Sequence, residues 1–272
     1  MKTPRIKPIV FLEIFMIAFA LVFIYPAIFV LLSAFKSNAD IITDPLGLPK
    51  TLAFSNFAKA WRGMEFPATA ARTFLITAFG VAGILVTSSM AAWVLARTSK
   101  RYSWFIYALF ASAMVIPFQI IMVPLAVLAS DLNFTNPSGL VVIYWGLGAP
   151  LAVFMYHGFV KGIPRELEES ASIDGAGSWY VFFRIVFPLL KPITATIAIL
   201  DALWIWNDFL LPLIIIKQGT LQLAQLQFNG QFLKDYGPLT ASLVLSATPI
   251  IAFYLVLQKH IVKGIAAGAV KG

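Results

Sequence analysis

The chain has 272 residues, of which 60% are hydrophobic and 12% charged, and its mean hydropathy is +0.87. A water-soluble domain is nearer half apolar and a quarter charged, so this chain lacks the polar surface to cover a core in water, and lipid is the solvent that fits. The formal net charge of +8 is spread over several segments and not gathered on one face, which argues against a nucleic-acid partner.

A span needs about 20 mostly apolar residues to cross a hydrocarbon core of ~30 Å. In chain order, six stretches meet or approach that length: 9–34, 73–95, 104–129, 139–160, 192–216 and 239–257. The first follows a basic start, Lys2, Arg5 and Lys7, but its apolar run is too long for a signal-peptide core and no A-x-A site follows it, so it reads as a retained helix. Arg97, Lys100 and Arg101 separate the second and third stretches. Asp131, Asn133, Asn136 and Pro137 separate the third and fourth, and a polar, glutamine-rich segment, 217–238, separates the fifth and sixth. Placing the N-terminus inside puts thirteen of the 20 Lys and Arg residues on the cytoplasmic side: Lys2, Arg5, Lys7, Arg97, Lys100, Arg101, Lys161, Arg165, Arg184, Lys191, Lys259, Lys263 and Lys271. The long external segment 35–71 holds Lys36, Lys50, Lys59 and Arg62, but long loops weigh little in the positive-inside rule. The expectation is an all-α integral membrane protein with six transmembrane helices and both termini in the cytoplasm.

Several spans carry residues that straight helices avoid. Pro26 lies in the first, Pro117, Gln119 and Pro124 in the third, Gly146, Gly148 and Pro150 in the fourth, Pro212 in the fifth and Pro249 in the sixth. Proline removes an amide donor and crowds the preceding turn, and in lipid the freed carbonyls must find partners in protein or in a wet cavity. Ordinary kinking in a packed bundle accounts for any one of them. Gln119, between two prolines, marks the third span as a candidate wall of a solute path. The fifth span adds Asp201, Asn207 and Asp208. Intramembrane carboxylates face a cavity or a partner. At ~1.5 Å per residue from Lys191, Asp201 falls near the midplane and Asp208 near the outer side. Two readings stay open for both: a solute route, or structural pairing with Arg72 or with neighbouring hydroxyls.

No pattern for covalent chemistry is present. Cysteine is absent, which removes disulfides, thiolate metal sites and thiol catalysis. His157 and His260 stand far apart with no carboxylate pattern beside them, so no metal site is expected. G-x-S-x-G, a Walker lysine loop and H-E-x-x-H do not occur. No catalytic residue is assigned.

Segment 161–191, KGIPRELEESASIDGAGSWYVFFRIVFPLLK, carries the most information. Pro164 suits the first position of a short helix, and Glu166, Glu168 and Glu169 suit its positive end. Leu167 and Ala171, at i and i+4, give one small apolar face. Gly175 is placed to end the helix in a left-handed conformation, and Ser178 to cap a second helix that returns to the membrane through Pro188. The result is an acidic helix–turn–helix at the cytoplasmic surface. The inner leaflet is itself negative and attracts basic segments, so an acidic knob of small residues suits a protein cleft.

At these residues the segment resembles the E-A-A-x3-G-x9-I-x-L-P signature of permease subunits of binding-protein-dependent ABC importers. It reads Glu169-Ser170-Ala171, then Gly175, then Ile185-Val186-Phe187-Pro188, with Ser170 in place of alanine and Phe187 in place of leucine. The run Trp206-Asn207-Asp208-Phe209 resembles the W-N-D-F stretch of carbohydrate permeases, and the ending Gly268-Ala269-Val270-Lys271-Gly272 is similar to the tail of the smaller permease of maltose-type systems. The resemblance extends from Val10 to Gly272.

It implies the type I permease architecture with a cytoplasmic coupling helix, divided as 1–68, a transmembrane core 69–258 and a tail 259–272. It implies a second permease subunit forming a heterodimer, two ATPase subunits and an extracytoplasmic sugar-binding protein, in a bacterial or archaeal plasma membrane. ATP and Mg are then bound by the partners, with no cofactor in this chain. Glu166, Glu168, Glu169, Ser170, Ala171, Asp174 and Gly175 become ATPase-coupling residues, and Gln119, Asp201, Asn207 and Asp208 the candidates for the translocation path. The implied solute is a sugar, most naturally an oligosaccharide. Glycerol phosphate or another polar solute remains an alternative, as does an ion-coupled secondary transporter.

Overall fold

A computed structural model describes the backbone of residues 6–230 and 235–269, and side chains over 10–230 and 235–256. The basic residues Lys2 and Arg5, the side chains of Lys7, Lys259, His260 and Lys263, and the tail residues Val270, Lys271 and Gly272 lie outside the described residues. The regular elements are helices: α1 Ile6–Ser33, α2 Asn38–Thr43, α3 Ser55–Gly63, α4 Phe66–Arg97, α5 Arg101–Ala113, α6 Phe118–Asp131, α7 Pro137–Lys161, α8 Glu166–Ile173, α9 Ser178–Leu189, α10 Lys191–Asn207, α11 Leu210–Ile215, α12 Leu221–Ala224 and α13 Tyr236–Ala269.

Among the described residues, four helices are long and apolar enough to cross a membrane: Val10–Ser33, Phe66–Arg97, Pro137–Lys161 and Tyr236–Val256. Two bent pairs bring the number to six when each is taken as one span. The pair α5 and α6 turns by 106°, and the pair α9 and α10 by 77°. The expected third span, 104–129, is therefore not one helix, because α5 stops at Ala113 and α6 starts after Pro117. Ala113 is the residue whose carbonyl an amide at 117 would bond, and proline offers none. The expected fifth span, 192–216, is also interrupted. Helix α10 is 17 residues long and ends at Asn207. Asp208 adopts an extended backbone, and its carboxylate accepts the amides of Leu210 at 3.0 Å and Leu211 at 3.4 Å, starting α11. Pro212 then sits in the first turn of α11, where a missing amide does no harm.

The chain divides into two compact units, Met1–Phe66 with Ala224–Thr248, and Pro67–Leu223 with Pro249–Gly272. In the first unit, its part of segment 35–71 is ordered by buried polar side chains. Lys36 donates to the carbonyls of Asp44 at 3.0 Å and Pro45 at 2.9 Å. Asn56 donates to the carbonyls of Ala34 and Lys36, at 3.0 and 2.8 Å. The apolar window of α1 buries none of its residues against its own chain.

The second unit is held by a core in which Ile76, Ile84, Leu140, Tyr144, Val153, Tyr156, Ile197 and Ile205 are buried. Small residues let its helices approach closely. A methyl group at Gly83 would overlap the indole of Trp145, which donates to the Phe79 carbonyl at 2.9 Å. A methyl at Gly148 would overlap Ile84. In lipid, where apolar surface gains nothing by meeting apolar surface, such close backbone approach is the main source of packing energy.

Candidate functional site

Two sites emerge in the second unit. The first is the knob formed by α8. Glu166, Glu168 and Glu169 occupy its first turn, where the amides point outward and negative charge is favoured. The carbonyl of Arg165 is the first acceptor of the helix, so Pro164 lies two residues ahead of it and not at its first position. Gly175 has φ +83°, and the helix ends in a Schellman arrangement: the Ala176 amide donates to the Ala171 carbonyl at 2.9 Å and the Gly175 amide to that of Ser172 at 3.1 Å. The following helix is capped by Gly177 through its extended backbone, with no side-chain cap, so Ser178 is its first residue and not its cap. Residues Val181–Val186 of α9 wind as a π-helix. Phe182 and Val186 are buried there, while Trp179, Tyr180 and Phe183 are exposed.

The knob presents one face and is held by the other. Glu166, Glu169, Ser170, Asp174 and Gly175 are exposed. Ala171 packs against the core, whereas Leu167, expected beside it, is exposed. Glu168 turns inward. Its Oε1 accepts from Arg97 Nε at 2.8 Å and Nη2 at 2.6 Å, and its Oε2 from Trp93 Nε1 at 2.9 Å. Arg97 Nη2 also donates to the Ile163 carbonyl at 2.9 Å. Sequence reasoning read Arg97 only as a topological charge and passed over Trp93. Their separation of four residues at the end of a helix puts an indole donor and a guanidinium on one face, which calls for a carboxylate partner.

The second site is a cavity of about 640 Å³ whose wall includes Gln119, Asp208, Trp204, Phe118, Met114 and Pro150. It brings together two of the four path candidates. Asp208 Oδ2 accepts from the Tyr144 hydroxyl at 2.9 Å, a contact the sequence did not suggest. The other two candidates are elsewhere. Asn207 is exposed and donates back to the Leu203 carbonyl at 2.8 Å. Asp201 is 3% exposed, and its Oδ2 has no hydrogen-bond partner. Arg72, the cation weighed as a partner for Asp201 and Asp208, donates to the Gly219 carbonyl at 3.2 Å. Among the described residues no group of three or more His, Asp or Glu side chains is placed to hold a metal ion.

Comparison with known proteins agrees with this fold. Residues 80–267 match the family described as "Binding-protein-dependent transport system inner membrane component". The chain is 40% identical over 258 residues to the "Probable starch degradation products transport system permease protein AmyC" of Thermoanaerobacterium thermosulfurigenes, covering 94% of each chain. It is 34% identical, over the full length of both, to the "Melibiose/raffinose/stachyose import permease protein MelC" of Bacillus subtilis. A chain in the crystal structure of a bacterial ABC transporter involved in the import of the acidic polysaccharide alginate shares the fold, with a TM-score of 0.79, 22% identity and coverage of 95% of this chain and 99% of that one. The type I permease fold is therefore present, and the chain belongs to the family of inner membrane components of binding-protein-dependent transport systems.

Proposed function

We propose that this chain is a membrane-spanning permease subunit of an ATP-driven importer of carbohydrates, with oligosaccharides as the natural solute class. The observation that carries the reading is 40% and 34% identity, over nearly the full length, to permeases named for starch degradation products and for melibiose, raffinose and stachyose. The family description supplies a binding-protein partner. The assembly we infer contains a second, related permease, two ATPase subunits that hold ATP and Mg, and an extracytoplasmic sugar-binding protein, with both termini of this chain in the cytoplasm.

The exposed face of α8, with Glu166, Glu169, Ser170 and Asp174, is the surface offered to an ATPase cleft. Closure of the ATPase dimer displaces this knob, and the permease follows as a rigid body between inward-facing and outward-facing states. In energetic terms, nucleotide and solute sites share a coupling free energy carried by that movement.

The cavity at Gln119 and Asp208 supports a neutral, hydroxyl-bearing solute. Its wall offers an amide, a carboxylate and the Trp204 indole, and among the described residues no Lys or Arg lines it. A carboxylate accepts hydrogen bonds from hydroxyls, an amide both accepts from and donates to them, and an aromatic face packs on the apolar side of a sugar ring. A phosphorylated solute would call for a cation, and Arg72 is engaged with Gly219 outside this cavity. The test is ATP hydrolysis by the full complex with its binding protein. Oligosaccharides should stimulate it, whereas stimulation by glycerol phosphate alone would overturn the carbohydrate reading.

A further inference from the structure

We propose that Arg97 and Trp93 clasp Glu168 to make the knob helix and the cytoplasmic end of α4 a single rigid body, so that Arg97 is the positioning residue through which ATPase movement enters the bundle. The proposal rests on the permease reading above and reassigns Glu168 from partner contact to internal linkage.

Three observations carry it. First, the clasp is polar, short and sheltered. The Arg97 and Glu168 side chains are only 15% and 13% exposed, and both carboxylate oxygens of Glu168 are engaged. A charge pair withdrawn from water that far is weakly screened by salt and is costly to break on one side only. Second, one guanidinium holds both flanks of the turn into α8. It donates to the Ile163 carbonyl before the helix and to Glu168 inside it. A lysine has one nitrogen and cannot reproduce the paired Nε and Nη2 donors that reach Glu168 Oε1. Third, the chain on either side of α8 is rich in glycine. Gly162 precedes it, and Gly175 and Gly177 follow. Glycine flanks allow a helix to swing independently of its neighbours. The clasp, with Ala171 seated on the core, is what opposes that swing.

The chain has no cysteine of its own, so paired spin labels can be introduced at Thr98→Cys and Ile173→Cys in the complete complex, in a labelled preparation that retains ATP-driven uptake. The expected result is an interlabel distance that is unchanged between the nucleotide-free and ATP-trapped states. In Glu168→Gln the distance distribution should broaden, and solute moved per ATP hydrolysed should fall about tenfold or more, the usual scale of a coupling between sites, while ATPase subunits still co-purify. Arg97→Lys should give an intermediate ratio. Glu169→Gln, on the exposed face, should instead weaken ATPase association.

A distance that shifts on ATP binding in the wild-type complex overturns the proposal without recourse to any variant. So does an unchanged transport-to-hydrolysis ratio in Glu168→Gln, and so does loss of ATPase association in that variant, which returns Glu168 to the partner contact. If the wild-type complex moves no sugar with ATP, the functional reading fails. The distances in wild type and Glu168→Gln without nucleotide then still decide the clasp, with equal, narrow distributions refuting it.

Discussion

Gly175→Ala isolates a single physical quantity. Gly175 has φ +83°, and a methyl group added there meets nothing within 4 Å. The substitution therefore adds no clash and changes only the cost of the left-handed conformation. For an L-residue that cost is about 1 kcal/mol for alanine and less for asparagine, rising to about 2 kcal/mol or more for β-branched valine. One kcal/mol is about a fivefold change in an equilibrium constant. The two amides whose bonds close the Schellman turn, Gly175 to Ser172 and Ala176 to Ala171, report on it directly. Hydrogen exchange at residue 176 should accelerate about fivefold in Gly175→Ala, less in Gly175→Asn and more in Gly175→Val. Apparent affinity for the ATPase subunits should fall in the same order, because only the closed turn presents the knob. Equal exchange and equal affinity across glycine, asparagine, alanine and valine would refute the reasoning.

Gly83→Ala forces a methyl into the Trp145 indole, and it should destabilise the purified complex by about 1–3 kcal/mol, read as a lower Tm; an unchanged Tm would show that the indole relocates freely. Asp208→Ala removes the start of α11 and leaves the Tyr144 hydroxyl without its partner, at a cost of about 2 kcal/mol or more, whereas Tyr144→Phe should cost about 1 kcal/mol. Thermal melts in which Tyr144→Phe is the more harmful of the two would contradict that assignment. Asp201 is buried off the cavity with an unpartnered oxygen, so Asp201→Leu should keep or raise Tm and leave uptake intact; a stable complex without uptake would put Asp201 on the solute route. In segment 35–71, the Ser37 hydroxyl, with help from the Lys50 ammonium, holds the Asp40 carboxyl below its ordinary value of 3.8. A depressed value stabilises the ionised form, so this contribution is complete above that pH and fades only as pH falls through the lower folded value. Exchange protection at the start of α2 should therefore be flat between about pH 5 and 8, and a step in that range would refute the assignment.

Much of the membrane architecture was legible because lipid imposes length and apolarity, which composition reports directly. Breaks were less legible, because proline is a necessary cue and not a sufficient one. Pro26, Pro124, Pro150 and Pro249 remain inside helices, whereas Pro117 and Pro212 follow interruptions. At Pro212 the difference is Asp208, whose carboxylate takes up the freed amides and starts a new helix. At Pro117 the chain leaves through bonds three residues apart, Val115 to Ser112 and Ile116 to Ala113. The glycine stop of the knob was legible from spacing, since Gly175 alone meets the left-handed requirement there. The inward turn of Glu168 was not. Glu166, Glu168 and Glu169 look equivalent in sequence, and only the position of Arg97, 71 residues away, distinguishes them. The cavity was half legible: Gln119 and Asp208 meet on its wall, but α10 turns Asp201 into the core and Asn207 back onto its own helix.

ATP-driven accumulation of a labelled oligosaccharide in proteoliposomes bears most directly on the proposal of a sugar permease. The complete complex, with ATP inside its ATPase-facing compartment and binding protein on the other side, should concentrate the sugar against its gradient and continue to do so when ionophores collapse every ion gradient. Uptake that needs no ATP, or that vanishes with the ion gradient while ATP is present, would contradict it.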